Sequence, residues 1–182
     1  MSGLVLVRHG RPAAGWDADP DPGLDPEGVA QAERMAAALA PSGPLPIVVS
    51  PKRRTRETAG ALERVWGTTA TVEPDVGEIP SPTDDLGARG AWLRGVVRGR
   101  WPTLDPDLRA WRDRVVELLV VLNRDTVVVT HFVAINVAVG AATGDDRVLV
   151  FRPDYCSRTV LDVAGGQLRV VELGAEAATA VR

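Results

Sequence analysis

His9 and His131 are the only two histidines of this 182-residue chain, and each stands directly after a short apolar run. Leu4-Val5-Leu6-Val7 leads into Arg8-His9-Gly10, and Thr126-Val127-Val128-Val129-Thr130 leads into His131. A third run, Ile47-Val48-Val49, leads into Ser50-Pro51-Lys52-Arg53-Arg54-Thr55-Arg56. Such short runs, ended by glycine, proline or polar residues, read as strands buried on both faces. In a parallel sheet covered by helices, ligands bind beyond the carboxyl ends of the strands. Three separate strands would then bring both histidines and a dense arginine cluster to one rim. Arginine forks grip phosphate oxygens in pairs, and helix-start amides add fixed positive dipoles. An imidazole there is neutral near pH 7 and is a competent nucleophile towards phosphorus. The residues describe a phosphate site with a histidine at its centre, suited either to phosphoryl transfer or to holding a phosphorylated ligand.

Other chemistries have little to work with. Cys156 is the one cysteine, so it makes no internal disulfide, and with two histidines it cannot build a finger-type zinc cluster. Lys52 is the one lysine among 21 basic residues, so Schiff-base chemistry would rest on it alone. The net charge of −3 argues against a general binder of nucleic acid or membrane surfaces. The loop from Asp17 to Gly23 is rich in Asp and Pro but has no glycine at the place a calcium loop requires, and three prolines stand from Pro20 to Pro26. No metal and no cofactor are expected. The first ten residues do not read as a signal peptide, and Val115 to Leu122 is too short an apolar stretch to span a bilayer. A cytoplasmic location is expected.

Pattern also gives the scaffold behind the rim. Asp25 and Pro26 open a helix with Val29, Ala32, Ala36 and Leu39 on one face, stopped at Pro41-Ser42-Gly43. Ser50-Pro51 repeats the cap signal for a helix from about Pro51 to Val65, and Thr69 to Val72 reads as a short strand. Leu108, Trp111, Val115, Leu118 and Leu122 mark a long amphipathic helix, and a further helix runs from His131 to about Ala141. After Gly144 the period falls to two: Arg147–Phe151, Thr159–Val163 and Leu168–Leu173 read as strands, the last two joined at Gly165-Gly166. The tail from Gly174 onward reads as frayed. Buried strands alternating with amphipathic helices predict an α/β three-layer sandwich, with a mostly parallel sheet between helical layers. The 182 residues read as one domain, with residues 79–106, rich in proline and glycine around a helix near Leu86 to Val97, as a lid-like excursion.

Four blocks in register carry a resemblance to a known family. Arg8-His9-Gly10 resembles the Arg-His-Gly signature of the histidine phosphatase superfamily, which includes the phosphoglycerate mutases. Leu24-Asp25-Pro26-Glu27-Gly28-Val29-Ala30-Gln31-Ala32 resembles its next helix start, Ser50 to Ala59 its Ser-x-Leu-x-Arg-Ala-x-x-Thr-Ala helix, and Val127 to His131 its second-histidine strand. Two positions depart from the pattern. Phe132 stands where glycine is usual, so a phenyl ring must be housed near the site. Lys52 and Thr55 replace Leu and Ala.

The resemblance implies roles. His9 would accept the phosphoryl group, while Arg8, Arg54 and His131 clamp its oxygens, Arg54 rather than Arg53 or Arg56 by alignment. Glu78 would protonate the leaving oxygen and then activate water. The backbone N–H of Phe132 would face phosphate, and Arg11, next after the signature, either touches substrate or is solvated. Compact members of the family are phosphatases, so hydrolysis of a phosphorylated small molecule is the expected activity. Protein phosphohistidine hydrolysis, phosphoglycerate mutation and non-catalytic phospholigand binding are the alternatives. Trp92 and Trp101, with Arg89, Arg94, Arg98 and Arg100, form an aromatic and basic stretch suited to a second anionic group, or to a solvated helix face. The roles of Trp16, Trp66 and Trp111, and the oligomeric state, are not legible from the sequence.

Overall fold

Leu4, Leu6 and Val128 face one side of a central sheet and Val7, Val127 and Val129 the other, the alternation of extended chain, and all six are buried. The structure, a computed structural model, describes residues 2–15, 17–122 and 124–177; Trp16 lies outside them. The strands β1 (Ser2–Arg8), β2 (Ile47–Val49), β3 (Thr71–Val72), β4 (Thr126–Thr130), β5 (Arg158–Ala164) and β6 (Gln167–Glu172) form one sheet of order β3-β2-β4-β1-β5-β6. The first four run parallel; β5 runs antiparallel to β1 and β6 antiparallel to β5, the last two joined by Gly165 and Gly166 at φ 60° and 74°. A two-residue turn with both central residues in the left-handed region matches the strand twist, and glycine enters that region freely.

Helices α1 (Pro26–Leu39) and α2 (Arg53–Trp66) cover one face of the sheet, and α3 (Leu86–Val96), α4 (Pro106–Val121) and α5 (Phe132–Thr143) the other. The α/β sandwich expected from the sequence is thereby found. Asp25 caps α1 as expected, its Oδ1 accepting the Gly28 N–H at 2.7 Å. The buried face of α1, however, is Gly28, Ala32, Met35, Ala36 and Leu39, and Val29 is exposed. The cause is a close approach of backbone: a Cβ on Gly28 would lie 2.1 Å from the Arg11 carbonyl oxygen. Only glycine fits there, so the helix turns Gly28 inward and Val29 outward. On α4 the stripe is Leu108, Trp111, Val115 and Leu119, not Leu118 and Leu122, which are only partly buried. Trp66 is partly buried and donates its indole N–H to the Ala40 carbonyl at 3.3 Å.

The strand expected over Arg147–Phe151 does not form. Arg147 makes one isolated bridge with Arg100, and the Val150 and Phe151 N–H groups donate instead to Asn136 Oδ1 at 2.7 and 3.0 Å. Asn136 is fully buried on α5 and also donates to the Phe132 carbonyl at 2.9 Å, so one side chain ties this loop to the helix. Asn136→Leu would leave the buried Phe151 amide and the part-buried Val150 amide without this partner, and unfolding in urea should show a loss of about 2–5 kcal/mol. A loss under about 1 kcal/mol would show that the loop is held by other contacts. The start of the tail is tied down rather than frayed: Ala177 N–H donates to the Arg152 carbonyl at 2.9 Å, and residues 178–182 lie outside the described part. Among the described residues no helix is long and apolar enough to cross a membrane.

The register fixes where the strands end. Val7 lies beside Val129, and Val49 beside Val129 on its other side. One step on, Arg8, Thr130 and Ser50 share a level, and His9 and His131 come next at the carboxyl edge of the sheet.

Candidate active site

His9 leaves β1 with its N–H donated to the Thr130 carbonyl at 3.0 Å, which prolongs the ladder by one residue. Its ring Nδ1 lies 2.8 Å from the Gly10 carbonyl oxygen. A carbonyl only accepts, so Nδ1 carries the proton and Nε2 keeps its lone pair. Nε2 receives the Arg54 Nε–H at 3.2 Å, consistent with that tautomer. Gly10 is itself held, its N–H donating to Thr58 Oγ1 at 3.0 Å, and the Thr58 hydroxyl donates to the Arg54 carbonyl at 2.7 Å. The same turn of α2 thus fixes the partner of the His9 ring and the arginine in front of it.

Arg54 bridges the two histidines: its Nη2 donates to His131 Nδ1 at 3.1 Å. His131 then has its proton on Nε2, which donates to Ser50 Oγ at 2.7 Å. Ser50, expected to cap α2, does not do so. The helix starts at Arg53 with Lys52 in the cap position, and the serine oxygen meets the Lys52 N–H at 3.4 Å as well as the His131 ring. The two imidazoles meet edge to face with centroids 5.3 Å apart. Burial, with the positive charge of Arg54 next in weight, pushes both well below the ordinary histidine value, so both stay neutral at neutral pH.

Glu78 lies just past the 3-10 turn Pro74–Val76, which is hung from the sheet by Thr130 Oγ1 donating to the Val76 carbonyl at 2.6 Å. Its carboxylate accepts the Ile79 N–H at 3.0 Å and sits 3.7 Å from His131 Nδ1. Burial raises its pKa above the ordinary glutamate value, partly opposed by Arg54. The carboxyl is thus shifted towards its protonated form in the same site where both imidazoles are shifted towards their neutral form.

Arg8 is buried between two rings, with its guanidinium carbon 3.9 Å from the Tyr155 centroid and 5.1 Å from that of Phe132. The phenyl ring at the unusual position is housed there, stacked beside the arginine. Arg8 Nη1 donates to the Pro153 carbonyl at 2.9 Å. Sequence reasoning passes over Tyr155, the one tyrosine of the chain, because its loop carries no periodicity. It is placed by Cys156, whose φ of 54° turns the backbone and whose N–H donates to the Arg8 carbonyl at 3.0 Å. Burial pushes the Cys156 thiol up to about 12, so it stays protonated and unreactive.

These groups open into a cavity of about 320 Å³ whose lining includes Arg8, His9, Arg54, Glu78, Phe132 and Tyr155. His131 stands behind Arg54, fully buried, and is not part of the lining. Arg11, which the sequence leaves either on substrate or solvated, is also outside it: its Nε pairs with the α1 cap Asp25 at 2.6 Å, and that pairing draws it to the helix start. The excursion supplies a wall through Leu93, Arg94, Val97 and Arg98 of and just after α3. Its tryptophans do not take part. Trp101 is buried against Trp111, centroids 6.2 Å apart, and Trp92 packs on the same core. No group of three His, Cys, Asp or Glu side chains suited to a metal ion occurs among the described residues.

The sheet order, the paired histidines and the bridging arginine define an α/β protein with two neutral imidazoles and buried arginines at the carboxyl edge of its sheet. The chain belongs to the histidine phosphatase superfamily (branch 1), whose sequence model matches residues 4–176. Its fold is shared with a phosphoserine phosphatase of Entamoeba histolytica solved with 3-phosphoglyceric acid, at TM-score 0.76 and 20% identity over 96% of this chain and 98% of that one. A putative α-ribazole-5'-P phosphatase of Escherichia coli superposes at TM-score 0.77 with 18% identity over 99% and 100% of the two chains. A mycobacterial glucosyl-3-phosphoglycerate phosphatase does so at 0.70 with 24% identity over 96% and 99%. No match to a curated protein sequence is found.

Proposed function

We propose that the chain is a phosphatase that hydrolyses a small phosphomonoester through a phosphohistidine on His9, using only its own side chains. The observation that carries this reading is the His9 ring: Nδ1 protonated against the Gly10 carbonyl, Nε2 unprotonated at the cavity. Arg8 and Arg54 hold the phosphoryl oxygens, and Arg54 turns its N–H groups from His9 to the substrate as it binds. His9 Nε2 attacks phosphorus in line, the N–P bond forms, and the ester P–O bond breaks. Glu78 gives its proton to the departing oxygen. The ionised Glu78 then takes a proton from water, the oxygen of that water attacks phosphorus, and the N–P bond breaks to release phosphate. The arginines neutralise charge on the equatorial oxygens throughout, and His131 with Ser50 fixes Arg54 from behind. A cavity walled by α3 favours a small molecule over a folded phosphoprotein, and the phosphoserine and glucosyl-3-phosphoglycerate phosphatases that share this fold are phosphatases of small esters by name.

Hydrolysis of p-nitrophenyl phosphate in the presence of EDTA tests the reading, and no turnover of any screened ester with intact phosphate binding would favour a phospholigand binder. The pH profile comes from the two shifts. Protonation of His9 stops the attack, and its lowered pKa moves that acid limb below the usual histidine range. Loss of the Glu78 proton stops leaving-group protonation, and its raised pKa moves the alkaline limb upward. For an alkyl phosphate, kcat/KM should form a bell whose acid limb lies below the usual histidine range and whose alkaline limb lies above the usual glutamate range, and Glu78→Gln should remove the alkaline limb. An unchanged alkaline limb in that variant would assign the limb to another group.

A further inference from the structure

Arg8 and Arg54 are buried alike, and they are held in opposite ways. Every nitrogen of the Arg54 guanidinium has a protein partner: Nε on His9 at 3.2 Å, Nη2 on His131 at 3.1 Å, and Nη1 facing Asp21 at 3.8 Å. Arg8 has no carboxylate within 4 Å among the described residues, and its buried Nε has no hydrogen-bond partner. One short loop holds it instead. The Pro153 carbonyl accepts from Nη1 at 2.9 Å, the Tyr155 ring lies against the guanidinium with its centroid 3.9 Å from the central carbon, and Cys156 donates its N–H to the Arg8 carbonyl at 3.0 Å. The loop is itself pinned. Asp154 donates its N–H to the Ala175 carbonyl at 2.8 Å, and Asp154 Oδ1 accepts the Tyr155 N–H at 2.8 Å. Cys156 sits at φ 54°, a left-handed conformation that a residue other than glycine keeps only where its surroundings impose it. The ring so placed also meets that of His9, centroids 5.9 Å apart.

Resting on the phosphatase reading, we infer that Tyr155 is a positioning residue: its ring fixes the plane of the Arg8 guanidinium, so that the face of the arginine goes to the ring and the N–H edge to the phosphoryl group. Guanidinium meets aromatic rings by its face and oxyanions by its edge, so both contacts are made at once. Arg8 is thereby set before substrate arrives, with no carboxylate to displace, whereas Arg54 must leave His9 to grip. Without the ring a long, flexible side chain is freed in the empty site, and ordering it again on binding costs affinity.

Binding of inorganic phosphate to the full chain, followed by calorimetry, tests this apart from turnover. Tyr155→Leu is expected to weaken phosphate binding about tenfold. Tyr155→Phe should bind about fivefold or more tighter than Tyr155→Leu, since the ring and not the hydroxyl does the holding. In an Arg8→Gln background the Tyr155→Leu change should cost less than about twofold, because a residue that acts through Arg8 has nothing left to act on. Tyr155→Met, which fills the space without a ring, is run beside Tyr155→Leu, and urea unfolding shows which variants are folded. An equal loss in both backgrounds would overturn the role. So would a Tyr155→Leu affinity within about twofold of wild type, or no phosphate binding by the wild type. If p-nitrophenyl phosphate is hydrolysed in those cases, the phosphatase reading stands. The expected cycle without hydrolysis of any ester would do the reverse, keeping Tyr155 and removing the phosphatase.

Discussion

His9→Ala is expected to lower kcat for p-nitrophenyl phosphate by about four orders of magnitude or more, because the proposed nucleophile is removed. The inner anion site survives the change. Arg8 remains held between Tyr155 and Phe132 and by the Pro153 carbonyl, and Arg54 keeps its bond to His131. Inorganic phosphate should therefore still bind the variant with an affinity within about tenfold of wild type. That pairing of lost turnover with kept binding separates a nucleophile from a residue that merely holds the fold. Equal kcat in the variant would remove His9 from the mechanism.

Glu78→Gln is the second large effect, expected at about 100- to 10,000-fold in kcat for an alkyl phosphate. The glutamine keeps the shape of the side chain and can still accept the Ile79 N–H, so packing is little disturbed. It can neither give up a proton nor take one. The loss should depend on the leaving group. An alkoxide needs the proton that Glu78 supplies, while p-nitrophenolate departs without it, so the first step with the nitrophenyl ester is affected far less. The second step needs a base whichever ester was used. With the nitrophenyl ester the variant should therefore accumulate its phosphoenzyme, and a fast burst of nitrophenolate should precede a slow steady rate. A single slow phase with both esters, and no difference between them, would place the proton on another group.

The reacting residues are legible in the sequence because strands buried on both faces advertise their ends: the apolar run stops, and the next residues carry the chemistry. Arg8-His9, Ser50 to Arg54 and His131 can be read that way, and the register of β1, β2 and β4 brings them to one level. Glu78 comes with the family pattern, and Phe132 stands out as a departure from it. The parts that cannot be read are set by contacts with no sequence period. Gly28 displaces Val29 because of one backbone carbonyl, and Asn136 takes two amides from an expected strand. Tyr155 enters the site through a left-handed residue that is not glycine. The excursion divides between the two readings of its composition: its tryptophans pack on the core, and two of its arginines face the cavity.

The mechanism rests on a covalent phosphoryl group on one nitrogen. Wild type and Glu78→Gln would be mixed with p-nitrophenyl phosphate, quenched in base within milliseconds, digested and examined by mass spectrometry and phosphorus NMR. A base-stable, acid-labile phosphoramidate on Nε2 of His9, approaching one per chain in Glu78→Gln, is the expected result. Steady release of phosphate with no adduct on His9 at any time point would contradict it, and direct attack of water on the ester would take its place.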